Sequence, residues 1–369
     1  MLTRRSLIGL AGALAGASSL AAWLGPALSL AGCGDDQNDK AVDRAPVLDT
    51  LVTSVMTPAL TTMRTTAEAL PTALGALSDG PSVTTLAAAR TAWSDARSAW
   101  RRTSAFAIGP SADLTLSGGI LDEPCDGAKI DALAASTTPV DPKTQPATVR
   151  GFLALEYLLF DPARDDATMV ASFTAPDGAG RAALLKVLAV DLRDKMVAVV
   201  DGWQTGGFLE QVRTAGKGSA AFPQQKNAFD ALLTQMLVVV DRLIDITRKS
   251  ASMPGLDPKA PTTDRSDHTL TDLLDDLAST EAMYGSGANS ISSIVVEVNA
   301  GADQAMLTSL TTARSSLTAF APPLRNAGAD RTPAVDDLIL KQRALKSALQ
   351  TQVYTALGTY TSFTDKDGD

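Results

Sequence analysis

Histidine and cysteine are scarce in this 369-residue chain, and their scarcity excludes several kinds of active site. The chain has one histidine, His268, and two cysteines, Cys33 and Cys125. A zinc protease of the His-Glu-x-x-His type needs two imidazoles, so the sequence excludes that class. The Gly-x-Ser-x-Gly turn of serine hydrolases, the phosphate-binding Walker loop and the Cys-x-x-Cys-His haem motif are also missing.

The single histidine also limits acyl-transfer chemistry. A Ser-His-Asp triad would have to use His268, which follows a stretch rich in Pro, Asp, Ser and Thr and has no diagnostic serine nearby. We expect His268 to be a surface loop residue. No Cys-His motif surrounds Cys125, so we expect a structural cysteine there and not a nucleophile. The sequence therefore predicts no catalytic residue.

Positive charge is the third shortage. Lys and Arg number 32 against 41 Asp and Glu, which gives a net charge of −9. Because nucleic-acid binding needs clustered cations, this balance argues against DNA or RNA as a partner. An acidic surface is compatible with cations, but solubility alone also explains it.

One long apolar run is present, at the N-terminus. Arg4 and Arg5 precede an uncharged stretch rich in Ala, Leu and Gly that ends in Leu-Ala-Gly-Cys at Cys33. This is the layout of a signal peptide, and the paired arginines indicate twin-arginine export. The ending resembles a bacterial lipobox. We expect residues 1–32 to be removed, Cys33 to carry lipid and residues 33–45 to form a tether.

The N-terminal segment also predicts where the protein works. A lipid on Cys33 makes the membrane a partner and places the protein on the periplasmic or cell-surface face. The alternative is a transmembrane anchor, which is less favoured because several glycines and Pro26 interrupt the run.

The rest of the chain has a helical pattern, and no segment alternates as a strand does. We expect an all-α fold of two helical-bundle domains packed side by side, residues 46–255 and 256–369, with a linker at 251–268. Thr269 is the expected cap of the helix after the linker, with Asp272 at capping-box spacing. Prolines and glycines predict a long, mostly irregular insertion at about 110–145, with a short helix at about 130–135. The predicted helices are 46–77, 83–106, 147–160, 179–203, 223–249, 269–284, 288–299, 303–320 and 333–363.

Glu156 stands out among the charged residues. On a helix it lies one turn from four large apolar side chains, Phe152, Leu153, Leu159 and Phe160. A carboxylate in such surroundings is rarely fully buried unless it is paired or binds a ligand. Two interpretations stay open: a structural ion pair with an arginine such as Arg150, Arg90 or Arg97, or a ligand-binding group.

Several segments resemble the imelysin-like family. Residues 150–160 (RGFLALEYLLF) resemble its signature helix, and residues 89–100 (ARTAWSDARSAW), followed by Phe106, resemble its tryptophan helix. Residues 270–273 and the C-terminal end from Ala356 are also similar, so the resemblance spans the chain in order. It implies two helical-bundle domains with a cleft between them, export, often as a lipoprotein, and an association with iron-regulated uptake. The residues of this candidate cleft are Glu156, Arg150, Gly151, Trp93, Trp100 and Asp122.

The chain departs from the family's metal-binding pattern. Members proposed to bind metal carry Gly-x-His-x-x-Glu, and here Gly151 and Glu156 stand but Leu153 takes the histidine position. A glutamate often found in the tryptophan helix corresponds to Ser104. Glu156 is the remaining candidate metal ligand, and one carboxylate is a poor transition-metal site. The cofactor stays undefined, with iron or another divalent cation as the candidate.

These observations predict a non-catalytic binding component of an iron-related uptake system. The ligand, or a segment of a partner, would sit in the inter-domain cleft, and membrane components of iron uptake are the candidate partners. Some family members have been classed as peptidases, so one alternative is an imelysin-type metallopeptidase. The other is a structural envelope lipoprotein.

Overall fold

The computed structural model describes residues 42–116, 125–136, 138–176, 178–252, 263–327 and 331–359. All regular secondary structure in these ranges is helical, which confirms the all-α prediction. None of the helices in the described ranges is both long and apolar enough to cross a bilayer.

Within the described ranges, ten α-helices precede the loop 263–268. The first helix continues into a π-helical stretch, Leu51–Met56. The next helix ends at Asp79, just before Gly80-Pro81, where the sequence predicts a helix break. The helices are α1 (Ala45–Thr50), α2 (Thr57–Asp79), α3 (Val83–Arg101), α4 (Pro110–Leu116), α5 (Gly127–Ala134), α6 (Gly151–Leu159), α7 (Asp166–Thr174), α8 (Gly178–Trp203), α9 (Phe208–Arg213) and α10 (Gln225–Ser252).

The remaining helices follow the loop 263–268. The helix Ile291–Ala319 is kinked at Asn299, whose backbone angles are not helical (φ −154°, ψ 93°). The Asn299 side chain accepts a hydrogen bond from the Ala302 amide. This kink lies where two separate helices were predicted. The helices are α11 (Thr269–Tyr284), α12 (Ile291–Ala319), α13 (Thr332–Ser347) and, after a π-helical stretch (Ala348–Val353), α14 (Tyr354–Leu357).

The helices pack along one another in long pairs. α2 packs against α3 and α8, while α10 packs against α11 and α13. The chain from Val42 onward forms one compact unit, so the division into two domains near residue 255 stays a prediction.

Two local differences from the sequence prediction bear on the site. In the segment 110–145, α5 corresponds to the short helix predicted at about 130–135, whereas α4 was not predicted; residues 117–124 fall outside the described ranges. α6 begins at Gly151 and not at Ala147. Arg150 is extended and Gly151 has a φ of +72°, a backbone conformation that glycine adopts without steric cost.

Candidate functional site

A groove opens where α3, the end of α6 and the loop 263–268 meet. Its volume is about 290 Å³. Helix spacing puts Arg90, Thr91 and Ser94 on one face of α3. The lining residues are Arg90, Thr91, Trp93, Ser94, Asp95, Phe160, Ser266 and His268.

Trp93 lies beneath this groove and connects α3 to α6 through a hydrogen bond. Its side chain is fully buried, and its indole N–H donates to the carbonyl of Phe152 at 3.0 Å. The ring also lies 5.1 Å from the ring of Phe160 and 5.4 Å from that of His268, centroid to centroid. Such aromatic contacts add to the stability that the buried area supplies.

Glu156 is buried beside the groove and accepts hydrogen bonds from a loop. Its Oε1 accepts the Ser266 amide N–H at 2.9 Å and the Ser266 hydroxyl at 2.7 Å. Burial raises the pKa of Glu156 to about 7, although the bonds from Ser266 and the charge of Arg97 oppose the rise. The arginines considered as ion-pair partners bond to other carboxylates: Arg90 to Asp166, Arg97 to Asp272 and Arg150 to Asp191.

The prediction that His268 lies on the surface is wrong. The residue is 9% exposed and precedes the first residue of α11. Its amide donates to the Thr263 carbonyl at 3.0 Å, which folds the loop back and turns the imidazole inward against Trp93. Nδ1 lies 3.4 Å from the Ser94 hydroxyl, and Nε2 lies 3.9 Å from Oδ1 of Asp272. Burial lowers the pKa of His268, and the charge of Asp272 opposes this.

Buried ion pairs join α3 to α11 below the histidine. Arg97 and Asp272 form a two-pronged pair, with nitrogen to oxygen distances of 3.0 and 2.9 Å. Arg101 lies 3.6 Å from the same carboxylate. Although burial opposes it, the charges of Arg97 and Arg101 hold the pKa of Asp272 well below its ordinary value. Asp272 is therefore an ionised carboxylate at neutral pH.

The capping box expected at Thr269 is absent, because Asp272 bonds to other groups. Asp272 is used by Arg97 and by the Thr263 hydroxyl, at 2.8 Å, instead of the helix terminus. The Thr269 hydroxyl donates to Asp264 at 2.8 Å. Burying the Arg97 charge without an anion would cost more free energy than leaving the helix end without a side-chain cap, so Asp272 pairs with Arg97.

The loop 263–268 is held from several directions. Asp264 accepts bonds from Ser250 on α10 and from the Arg325 side chain. Arg325 also pairs with Asp267 at 2.7 Å, and Asp267 has a φ of +59°. A non-glycine residue in this left-handed region is strained, and such strain often accompanies functional sites.

The residues predicted for the cleft are not all brought together. Trp93 lines the groove and Glu156 holds its loop, but Trp100 is only partly buried and is absent from the lining. Arg150 and Gly151 are at the opposite end of α6, about 15 Å away along a helix of this length. Asp122 and Cys33 lie outside the described residues. Sequence reasoning missed the groove residues Ser94, Ser266 and Arg90.

A transition metal does not fit the donors present. Within the described ranges, no three His, Cys, Asp or Glu side chains come close enough to hold an ion. The Glu156 carboxylate is already engaged by Ser266, and Leu153 supplies no donor one turn earlier. The candidate assignment of Glu156 as a metal ligand has no support in this geometry.

Comparisons with known proteins agree on one family. The imelysin family model, whose label classes it as a peptidase, matches residues 56–355. A crystal structure described as an iron-regulated protein A precursor from Parabacteroides distasonis has a TM-score of 0.71 at 20% identity, over 85% of this chain and 94% of that one. An imelysin-like protein from Psychrobacter arcticum has a TM-score of 0.59 at 18% identity, over 87% and 97%. No curated protein sequence matches the chain significantly.

Proposed function

Because this chain belongs to the imelysin family, we propose that it is an exported, lipid-anchored protein that binds a small ligand in the α3/α6 groove as part of an iron-related uptake system. One observation carries the binding role. Two walls of the groove come from the two segments in which the family resemblance is strongest, residues 89–100 and 150–160. The iron connection rests on the description of one structural relative as iron-regulated.

Binding is favoured over metallopeptidase activity by the donor set. A metal that activates water needs several protein ligands and an open position. The only acidic residue of α6 is bonded to Ser266 and has no histidine beside it. We therefore expect no metal-dependent cleavage of peptides.

A ligand site is favoured over a purely structural role by the surface of the groove. A structural bundle has no need for an open cavity lined by the guanidinium of Arg90 and the hydroxyls of Ser94 and Ser266. Arg90 donates through Nε to the Leu159 carbonyl at 2.9 Å and lies over the Phe160 ring. Asp166, whose side chain is about half exposed, compensates part of the Arg90 charge at 2.6 Å, and the groove face of the guanidinium favours an anionic ligand, such as an iron-carrying carboxylate chelate.

The test is thermal unfolding of the purified protein with ferrous iron, ferric citrate or citrate alone. We expect ferric citrate or citrate to raise the melting temperature, because a ligand at 100 times its Kd stabilises by about 2.7 kcal/mol. Arg90→Ala should lose the shift, and Arg343→Ala, which replaces an exposed arginine on α13, should keep it. A shift from ferrous iron alone, no shift from any probe, or an equal shift in Arg90→Ala would contradict the proposal.

A further inference from the structure

The groove contains a serine whose hydroxyl is directed at the chain's one histidine. Ser94 lies in the middle of α3, 174 positions before His268, and its Oγ is 3.4 Å from Nδ1 of that imidazole. Helical serines and threonines commonly bond back to a carbonyl one turn earlier, as Thr91 does to Ala87 at 3.0 Å. For Ser94 the histidine contact is the hydrogen bond that the described residues provide.

The surroundings select the imidazole tautomer that a general base needs. If Nδ1 accepts the Ser94 proton, Nε2 must carry the ring hydrogen. Nε2 is buried without a hydrogen-bond acceptor at normal distance, and Oδ1 of Asp272, 3.9 Å away, faces it. An ionised carboxylate on that side favours the N–H at Nε2 and the imidazolium that forms when the base takes a proton, whereas burial and the charges of Arg97 and Arg101 disfavour the imidazolium, so that the pKa of His268 is lowered overall.

The serine is also accessible, and a cation is close to it. Ser94 is partly exposed and lines the groove together with Arg90, which lies one turn earlier on the same helix. The Nε of Arg90 is bonded to the Leu159 carbonyl and its Nη1 to Asp166, so Nη2 is the donor that can stabilise negative charge developing on a carbonyl oxygen bound in the groove. A serine, a base, a carboxylate behind the base and a cation therefore meet at one open cavity.

We propose that Ser94 is a nucleophile and His268 its general base, and that the groove hydrolyses esters of small carboxylic acids. The proposal goes beyond ligand binding and does not depend on the iron connection. Asp272 is a positioning residue, since it acts through His268. The order along the chain and the ring nitrogen that faces the serine both differ from the familiar triads, so no sequence motif signals the arrangement.

The reaction balances without a cofactor. Oγ of Ser94 attacks the ester carbonyl carbon and its proton passes to Nδ1 of His268. The bond between that carbon and the alcohol oxygen then breaks, and His268 returns the proton to the leaving alcohol. Water adds to the acyl-Ser94 ester and gives a proton to His268; the bond to Oγ breaks, Ser94 regains a proton, and the carboxylic acid leaves.

Esters are the expected substrates, not peptides. Ser94 lies in the interior of α3, where neighbouring backbone N–H groups are used in helical hydrogen bonds. A pair of free backbone donors at the oxyanion is therefore missing, and the side chain of Arg90 is the substitute. An alkoxide leaves more readily than an amide nitrogen, so the lower barrier of ester cleavage suits this arrangement.

The decisive experiment labels the purified protein with a fluorophosphonate probe and maps the modified residue by mass spectrometry. We expect modification at Ser94 in the wild type, its loss in Ser94→Ala, and at least a 100-fold slower reaction in His268→Ala, a typical contribution of a general base. Ser98→Ala, one turn further along α3, is the matched control and should label like the wild type. Hydrolysis of p-nitrophenyl acetate should follow the same order.

Identifying the labelled residue in the wild type requires no variant, so a misfolded variant cannot affect that result. An unlabelled Ser94, or equal labelling rates in His268→Ala and the wild type, overturns the proposal. The labelling test and the thermal-shift test are independent, because citrate has no ester bond. Citrate can stabilise a protein whose Ser94 does not react, and Ser94 can react in a protein that citrate does not stabilise.

The role of Asp272 has its own readout. Its charge raises the pKa of His268 against the lowering caused by burial, so Asp272→Asn should move the pH midpoint of Ser94 labelling to lower pH. An unchanged midpoint in a folded Asp272→Asn protein would remove the positioning role. The other charged groups around the ring and groove are Arg97, Arg101, Arg90 and Asp95 from α3 and Asp275 from α11.

Discussion

At the residue scale, Glu156 shows how a carboxylate can be buried without a cation in direct contact. Its surroundings on α6 are apolar, but the Ser266 amide and hydroxyl reach one oxygen from the loop 263–268. Hydrogen bonds to a carboxylate recover part of the lost solvation, and the remainder shows as the raised pKa. Neither of the two sequence interpretations, arginine pair or ligand group, describes this loop-holding contact.

The raised pKa predicts a pH-dependent stability. Because the folded-state pKa is about 7 against 4.5 for the free side chain, the folded protein binds the proton more tightly than the unfolded chain. The stability contributed by protonated Glu156 is present at low pH and is lost as pH rises through about 7, by roughly 3 kcal/mol. Urea unfolding between pH 5 and 8 should show this loss in the wild type and not in Glu156→Gln.

The exposed Glu297 provides the control, since Glu297→Gln should reproduce the wild-type pH profile. At pH 5, Glu156→Ala should cost about 1–3 kcal/mol, the usual penalty for buried donors left without an acceptor. Identical pH profiles for Glu156→Gln and the wild type would show that Glu156 does not titrate in this range.

At the scale of elements, the contact between α3 and α11 depends on buried charge. Arg97 is fully buried and Asp272 nearly so, whereas Arg213 and Glu210 on α9 form a pair in which both side chains are about half exposed. Removing one partner of a buried ion pair leaves an uncompensated charge in the protein interior. In an exposed pair, water solvates the charge that remains, so the loss of stability is small.

Two arginine substitutions test this difference. Arg97→Met should destabilise the protein by about 3–5 kcal/mol, whereas Arg213→Met should cost at most about 1 kcal/mol. Urea unfolding at neutral pH measures both. Equal costs for the two single variants would mean that burial of the pair does not govern the contact.

At the scale of the whole molecule, the N-terminal pattern predicts a membrane-attached protein. The described residues begin at Val42, so the lipid on Cys33 rests on the sequence: paired arginines, an apolar run and a Leu-Ala-Gly-Cys ending. Each buried CH₂ of an acyl chain contributes about 0.8 kcal/mol, so stable attachment needs more than one chain.

Replacing the lipidated cysteine tests this prediction. Cys33→Ser should prevent lipid attachment, leaving a protein that is either uncleaved or released from the membrane. Intact mass and the membrane-to-soluble ratio after fractionation measure the outcome, with Cys125→Ser as the control that should retain both properties. The same mass and the same membrane fraction in Cys33→Ser and the wild type would rule out the lipoprotein prediction.

The helical class and most helix ends can be predicted from local sequence patterns alone. The break at Gly80-Pro81 and the bounds of α8 and α11 followed from apolar spacing and from helix-breaking residues, which act within a few positions of one another. The family resemblance likewise needed only short segments. Local interactions of this kind do not depend on how the helices pack.

The groove, by contrast, depends on how distant segments of the chain pack together. Ser94 and His268 are 174 positions apart, and their contact depends on a loop that folds back and on the buried pair of Arg97 with Asp272. The same pair took Asp272 away from the helix cap that local spacing had predicted. Desolvated charges must find partners wherever packing places them, and that requirement overrides local preference.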